Sequence, residues 1–243
     1  MAMTKDEIIE YLNEIKSDKF RKNIIKLGIP EEKSIGVSTG EIRKLARKIK
    51  IDHHLAEELW VAGYHEARLL SILIMDESKV SLNYVSQLMK DVMSWDLCDH
   101  ICKNLIIKMP SYEELIFDWC CDHRVYYKRA AFSLIASTMI HKKEIEKDEV
   151  NRYIDIIREC GDDSRNHVKK AVSWALREIG KKDFDCQEQA IQLAYEFIEG
   201  SQKNLNWIGK NALKELETLV SVKERGRLLS SNSKMGKRIQ KDT

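Results

Sequence analysis

The sequence predicts an all-α protein built as an α-solenoid, in which pairs of helices repeat along the chain and stack on one another. Charged residues make up 33% of the 243-residue chain, and only two prolines and ten glycines interrupt it, which favours helices. β-branched residues do not alternate with polar ones between turn signals, so no strand is predicted. Apolar helical segments also recur at regular intervals.

The recurring segments each have a polar start followed by an apolar helix that carries a small residue. Aligning that small residue gives steps of 31, 32, 41 and 41 through Ala67, Cys98, Ala130, Ala171 and Ala212. A two-helix unit of about 30 to 47 residues is typical of an α-solenoid, because one pair cannot bury its apolar face alone. We therefore expect a concave, partly basic face lined by the second helix of each pair.

The predicted helices have recognisable ends. Thr4 and Glu7 have the spacing of a capping box, and a second helix over roughly 20–27 is followed by Gly28 and Pro30. Further helices are predicted to begin near Thr39, His53, His65, Ser81, Ser94, Tyr112, Val125, Lys147, Arg165, Gln187 and Asn206.

Residues 1–229 are expected to form a single domain, and residues 230–243 a short, basic, disordered tail. No stretch reaches the roughly 18 apolar residues needed to cross a bilayer, and the first residues lack a signal-peptide core. We expect a cytoplasmic monomer with no membrane contact and no obligate protein partner.

The six cysteines lack the density of a secreted disulfide scaffold, and most of them fall on apolar helical positions. We interpret all six as reduced, buried thiols. Two clusters of cysteines include a histidine: Cys98 and Cys102 with His100, and Cys120 and Cys121 with His123. Neither cluster has the paired CxxC spacing of a structural zinc site. No metal site is predicted.

The net charge of +2 hides an uneven distribution. Residues 222–243 contain seven basic and two acidic residues, and residues 164–182 contain six basic residues and one acidic residue. A uniformly basic nucleic-acid binder is excluded. A local basic face, with Lys169, Lys170 and Lys181 as candidate phosphate contacts, remains possible beside the alternative of a solvated helix face.

Unusual side chains border the apolar stripe of three predicted second helices. Trp95 and Asp99 are spaced i and i+4, so they share one helix face. Lys170, Trp174 and Arg177 form a similar stripe. Arg129 precedes the apolar run of a third helix.

These residue types suit the cleavage of a bond to a cationic base. Indole faces attract cations, a carboxylate stabilises a developing positive charge, and arginine and lysine hold phosphates. Loss of an N-alkylated purine leaves an oxocarbenium-like sugar, as in glycoside hydrolysis. The alternative is structural: each Trp packs against its neighbours, and Asp99 pairs with Lys103.

Several longer motifs carry a family resemblance. They are SIGVSTGEIRKLAR from Ser34, LWVAGYHEARLL from Leu59, SWDLCDHIC from Ser94, KRAAFSLIA from Lys128 and DDSRNHVKKAVSWALREIGKK from Asp162. With them, the sequence resembles the AlkD-type DNA alkylation repair proteins, which are HEAT-like repeat DNA glycosylases of the armadillo type. The resemblance covers residues 35–216 approximately.

The resemblance implies an α-solenoid of HEAT-like repeats that hydrolyses the N-glycosidic bond of N3- or N7-alkylated purines in duplex DNA. It implies neither a metal nor a nucleotide cofactor. By motif position, Trp95, Asp99 and Trp174 would contact the lesion nucleotide, with Asp99 stabilising the sugar cation between the two indoles. Arg129 and Arg177 would hold the DNA.

The sequence also departs from this family. The N-terminal stretch FRKNIIKLGIPEEKSIGV lacks the tyrosine that faces DNA in the glycosylases, and the tryptophan doublet of some members is the single Trp95. Two alternatives therefore stay open. A non-catalytic binder of damaged or branched nucleic acid predicts salt-dependent DNA binding without base release, and a protein-interaction scaffold predicts no DNA binding.

Overall fold

The structure is a computed structural model that describes residues 3–223 and 225–239. Across these residues the chain is almost entirely helical, with one two-stranded sheet. None of the helices in this part of the chain is long and apolar enough to cross a membrane. The chain divides into two compact units, Met1–Tyr112 (unit 1) and Glu113–Thr243 (unit 2).

Unit 1 contains seven α-helices within its described residues. They are α1 (Lys5–Glu14), α2 (Asp18–Lys26), α3 (Thr39–Ile49), α4 (His53–Val61), α5 (His65–Ile74), α6 (Leu82–Leu88) and α7 (Trp95–Asn104). The predicted capping box is confirmed, because the Thr4 hydroxyl accepts from the Glu7 amide and the Glu7 carboxylate accepts from the Thr4 amide. Helix α5 packs against α3 and α7, which makes a layer of three second helices.

Several hydrogen bonds between neighbouring repeats of unit 1 share one sequence spacing. Three of them join residues 31 positions apart: Trp60 to Asp91, His65 to Asp96, and Leu69 to His100. This separation equals the first step of the sequence repeat, from Ala67 to Cys98. The periodicity in the sequence therefore corresponds to physical contacts between stacked helices.

Unit 2 contains the longer helices and the small sheet. Its elements are α8 (Glu113–Trp119), α9 (Val125–His141), α10 (Lys147–Cys160), α11 (Asn166–Gly180), α12 (Phe184–Glu199), α13 (Lys203–Leu216), β1 (Leu219–Val220), β2 (Leu229–Ser230) and α14 (Lys234–Ile239). Helix α11 packs against α9 and α13, and α12 packs closely on α13. An added Cβ at Gly209 of α13 would overlap the carbonyl oxygen of Ala194, so glycine permits this close approach.

The repeats of unit 2 are joined at a longer spacing. Hydrogen bonds connect residues 38 positions apart: Arg129 to His167, Ser173 to Asn211, and Arg177 to Glu215. The repeat step predicted for this part of the chain is 41 residues, about one helical turn longer than the 38-residue spacing of these bonds. The difference arises because each side chain bonds to a residue one turn away from its equivalent in the next repeat.

Most predicted helix starts agree with the structure to within one residue. Helices α12 and α13 begin three residues before the predicted Gln187 and Asn206, at Phe184 and Lys203. The carboxylate of Asp183 caps α12 by accepting from the Cys186 amide at 2.8 Å. The first turn of α12 is polar and aromatic, so its apolar periodicity starts later than the helix.

The absence of strands was a wrong prediction. Strands β1 and β2 pair antiparallel, with Leu219 opposite Ser230 and Val220 opposite Leu229. Each strand has only two residues, which is too short for an alternating pattern. The segment predicted to be disordered, residues 230–243, contains the end of β2 and helix α14, while residues 240–243 lie outside the described part of the chain.

The interpretation of all six cysteines as reduced, buried thiols was also wrong for one pair. Cys121 is exposed and forms a disulfide with Cys160, 39 residues further on. The other four cysteines are buried and form no disulfide among the described residues: Cys98, Cys102, Cys120 and Cys186. The pairing depends on the stacking of two repeats, so no local spacing of cysteines reveals it.

Candidate nucleic-acid interface

Helix α7 of unit 1 presents Trp95 and Asp99 one turn apart, as the i, i+4 spacing predicted. Trp95 is the first residue of the helix and is 38% exposed, whereas Asp99 is only 9% exposed. The helix begins after Ser94, which has the extended backbone of an N-cap. The pair therefore combines an accessible indole with a largely covered carboxyl group.

Asp96, which borders the same face, connects two helices. Its Oδ2 atom lies 2.9 Å from Nε2 of His65 on α5. Burial alone would raise the pKa of Asp96, but the hydrogen bond from His65 and the charge of His65 outweigh it and lower that pKa. Asp96 is therefore a carboxylate that fixes the start of α7 against α5.

His100, one residue beyond Asp99, is a second link between these helices. Its Nε2 donates to the carbonyl oxygen of Leu69 at 3.0 Å, and the side chain is buried. Burial, reinforced by the nearby charge of Arg43, lowers the pKa of His100 to about 4. His100 is consequently neutral at physiological pH and serves as a donor to the backbone.

Glu66 of α5 is a buried carboxylate that was not among the predicted site residues. It is fully inaccessible and accepts three backbone amides, from Ile35 at 3.0 Å, Gly36 at 2.5 Å and Val37 at 3.2 Å. These bonds fix the loop that leads into α3. The available signal was a lone acidic residue inside the apolar segment HEARLLSILI.

Helix α11 of unit 2 carries the second tryptophan. Trp174 is half-buried, and its Nε1 donates to Oε1 of Glu178 at 3.2 Å. Oε2 of the same carboxylate accepts from Arg227 of the C-terminal segment at 2.7 Å. Glu178 thus orients the indole and connects α11 to the chain that follows α13.

The neighbouring cations of α11 are held by acidic residues. Arg177 donates to Oε2 of Glu215 at 2.8 Å, and the Lys181 ammonium lies 2.9 Å from Glu178 and 2.8 Å from Glu215. Burial alone would raise the pKa of Glu215, but the hydrogen bonds and charges of Lys181 and Arg177 lower it. The pairing of Arg177 with Glu215 was not predicted, because the two residues lie 38 positions apart in the sequence.

The remaining predicted DNA contacts differ in exposure. The Lys169 ammonium lies 4.9 Å from the ring centroid of Trp207, in a cation–π contact. Lys170 is exposed and takes part in no ion pair among the residues that the structure describes. Arg129 is only 6% exposed, and it donates to the His167 carbonyl in the first turn of α11 at 2.5 Å.

The predicted site residues therefore come from both units. Trp95 and Asp99 belong to α7 of unit 1, and Trp174 belongs to α11 of unit 2. The predicted cations, with Arg129 on α9 and the rest on or directly after α11, all belong to unit 2. Asp99, the only acidic residue among the predicted site residues, belongs to unit 1.

Comparison with solved structures identifies the fold. A protein described as belonging to "a new family of proteins related to the HEAT-like repeat DNA glycosylases with affinity for branched DNA structures" matches with a TM-score of 0.73 and 19% identity. The match covers 99% of this chain and 94% of that one. It confirms the prediction of an α-solenoid of HEAT-like repeats.

A designed armadillo repeat protein in complex with a (KR)4 peptide is a weaker match, with 12% identity over 81% of this chain and 99% of that one. Its TM-score of 0.35 is too low to support a conclusion. No curated protein matches the sequence. The family described as DNA alkylation repair enzyme matches residues 8–216, and the chain therefore belongs to the DNA alkylation repair enzyme family.

Proposed function

We propose that the protein is a DNA glycosylase that releases cationic N3- or N7-alkylated purines from duplex DNA. The observation that carries this proposal is the pair on α7, an exposed Trp95 and a covered Asp99 on one helix face, in a member of a DNA alkylation repair family. An indole that reaches solvent can contact a cationic base, while a covered carboxylate acts with little screening by water.

The proposed reaction is heterolytic cleavage of the N-glycosidic bond. The electron pair of that bond moves to the alkylated purine and neutralises its positive charge, while C1′ of the sugar becomes cationic. Asp99 stabilises this sugar cation, and a water molecule adds to C1′ and loses a proton to solvent. The leaving base needs no general acid, because it is already positive in the intact nucleotide.

Trp174 is the second proposed lesion contact. Its hydrogen bond to Glu178 fixes the indole in one orientation, and Glu178 is itself held by Lys181 and Arg227. A side chain fixed by such a network loses little conformational entropy when it contacts a ligand. The network therefore supports a preorganised role for this indole.

The basic residues of unit 2 are the proposed phosphate contacts. Lys170 is the most direct candidate, because it is exposed and unengaged by acids among the described residues. Lys169, Arg177 and Lys181 would add to the local positive field from their fixed positions. Arg129 is mostly buried, so we propose that it acts by holding the first turn of α11 in place.

The test is release of free base from duplex DNA that contains N7-methylguanine or N3-methyladenine. We expect release by the wild-type protein and at least a tenfold lower rate for Asp99→Asn, which keeps the shape of the side chain but removes its charge. Asp118→Asn, an exposed carboxylate on α8, is the matched control and should leave the rate unchanged. Absence of release by the wild-type protein, on a duplex that it binds, would contradict the proposal.

A second candidate function is non-catalytic binding of branched DNA. The observation that favours it is the affinity for branched DNA of the structurally similar protein. This function predicts at least a tenfold preference for a four-way junction over a duplex of the same sequence, with no base released from alkylated substrates. Base release that depends on Asp99 would reject it as the sole function.

A further inference from the structure

Three cysteines of unit 2 lie together at the ends of two helices. Cys120 and Cys121 directly follow α8, and Cys160 is the last residue of α10. Their three sulfur atoms lie within 4.8 Å of one another. Cys121 and Cys160 form the disulfide, and the Cys120 sulfur lies 3.5 Å from that of Cys160.

The three sulfurs differ in accessibility. Cys121 is exposed, whereas Cys120 and Cys160 are each only 9% exposed. Burial raises the pKa of the Cys120 thiol, so this thiol is mostly protonated at neutral pH. A small molecule in solution therefore reaches Cys121 first, and Cys120 is a slow internal nucleophile.

The disulfide joins the loop between α8 and α9 to the last residue of α10, where the loop to α11 begins. Two other contacts cross between the same segments: the Lys128 ammonium lies 3.3 Å from Asp163, and the Arg165 guanidinium donates to the carbonyl of His123. Both loops are therefore held by polar contacts that persist without the covalent bond. Reduction can consequently loosen this end of the unit without dismantling it.

We propose that Cys121 and Cys160 form a reversible thiol–disulfide site that reacts with low-molecular-weight disulfides such as oxidised glutathione, with Cys120 as a third thiol able to replace Cys121. The proposal is independent of the glycosylase reaction. It rests on the three-sulfur cluster, on the exposure of one member only, and on the short distance between the sulfurs of Cys120 and Cys160.

Oxidation proceeds in two exchange steps. The Cys121 thiolate attacks one sulfur of oxidised glutathione, forms a mixed disulfide and releases one glutathione thiolate. The Cys160 thiolate then attacks the Cys121 sulfur, forms the protein disulfide and releases the second glutathione thiolate. The two protons lost by the cysteines are taken up by the two glutathione molecules, so two thiols are oxidised and one disulfide is reduced.

The third thiol permits an internal rearrangement without any further oxidant. The Cys120 thiolate attacks the Cys160 sulfur, a bond forms between these two atoms, and the bond between Cys121 and Cys160 breaks. The Cys121 thiolate leaves and takes up the proton that Cys120 lost. The exchange returns an exposed thiol to the surface while the link between the two loops is kept.

The test uses the full-length protein in glutathione buffers of graded reduction potential at pH 7.5. Samples are quenched with acid, alkylated and mapped by peptide mass spectrometry. In the wild-type protein we expect a reversible link mainly between Cys121 and Cys160, with a minor share between Cys120 and Cys160. In Cys121→Ser the link should move to Cys120 and Cys160, whereas in Cys120→Ser the original link should remain.

The matched control is Cys186→Ser, a buried cysteine of the same unit outside the cluster, which should leave the linkage unchanged. Reduction should lower the melting temperature of the wild-type protein by about 5 to 10 °C, because the bond closes a 39-residue loop. Because Cys121 is exposed, we expect the Cys121→Ser variant to fold, and its linkage can then be compared with that of the wild-type protein. The proposal is overturned by the absence of a link at every potential, or by Zn²⁺ binding to the reduced cluster that prevents oxidation by glutathione.

Discussion

The two units differ in the length of their second helices and in the bonding of their polar side chains. The second helices of unit 1, α3, α5 and α7, have 11, 10 and 10 residues, whereas α9, α11 and α13 of unit 2 have 17, 15 and 14. Buried polar groups of unit 1 such as Glu66 and His100 bond to the backbone. Unit 2 also has such a bond, from Arg129 to the His167 carbonyl, but it adds a network in which Arg177 and Lys181 both pair with Glu215.

We infer that this difference in bonding corresponds to two different roles of the units. Bonds from a buried side chain to the backbone fix helix positions without adding surface charge, which suits the placement of a covered carboxylate such as Asp99. The ion pairs of unit 2 hold partly exposed cations such as Arg177 and Lys181 in fixed positions, from which their field would act on phosphates in the proposed function. We infer that unit 1 supplies the reactive group and unit 2 the electrostatic attraction to DNA.

The largest expected effect is on the stability of unit 1. Glu66→Ala leaves three buried amides without an acceptor, so we expect the free energy of unfolding to fall by about 3 to 5 kcal/mol. Glu178→Ala in unit 2 should cost only about 1 to 2 kcal/mol, because Lys181 and Arg227 can be hydrated where they lie. Urea denaturation measures both, and equal costs would contradict the distinction between the units.

The next effect concerns pH. His100 has a folded-state pKa of about 4 against an ordinary value of 6.5. The unfolded chain therefore binds a proton between these values while the folded chain does not, and stability falls on acidification through this window. From pH 7 to pH 5 we expect His100 to remove about 2 kcal/mol of unfolding free energy.

The control for this prediction uses two histidines. His100→Gln should lose that part of the pH dependence, whereas His54→Gln, which changes an exposed histidine, should retain it. Denaturant unfolding at the two pH values provides the measurement. The same pH dependence in His100→Gln as in the wild-type protein would show that other groups cause the loss.

The smallest expected effect is on DNA affinity. Lys170→Ala should weaken binding to any duplex about threefold and reduce the slope of log K against log salt concentration by about 1, because one phosphate contact is lost. Lys147→Ala, an exposed lysine at the start of α10, is the matched control. An unchanged salt slope in Lys170→Ala would show that Lys170 does not contact a DNA phosphate.

Much of the fold could be predicted from local sequence. Helix starts depend on caps and apolar periodicity over a few residues, and Thr4, Ser81 and Asp52 each cap a helix through the side chain. The repeat was visible because each unit must bury a similar apolar face. The two-residue strands were missed, since such short segments carry no period.

The partners of the polar residues could not be predicted in the same way. The helix positions of Asp96 and Arg177 were evident, but their partners His65 and Glu215 lie 31 and 38 residues away. The rotation between stacked helices decides which charged residues of two repeats form ion pairs. No local sequence pattern predicts that rotation. The disulfide of Cys121 was missed for the same reason.

The proposed separation of tasks is tested most directly by measuring affinity and base release on one duplex. The dissociation constant and the single-turnover rate of base release should be determined with N7-methylguanine DNA for wild type, Asp99→Asn and Lys170→Ala. We predict that Asp99→Asn loses at least tenfold in rate with affinity unchanged within twofold, and that Lys170→Ala loses affinity while keeping its rate at saturation. Equal losses of affinity and rate in both variants would contradict the account.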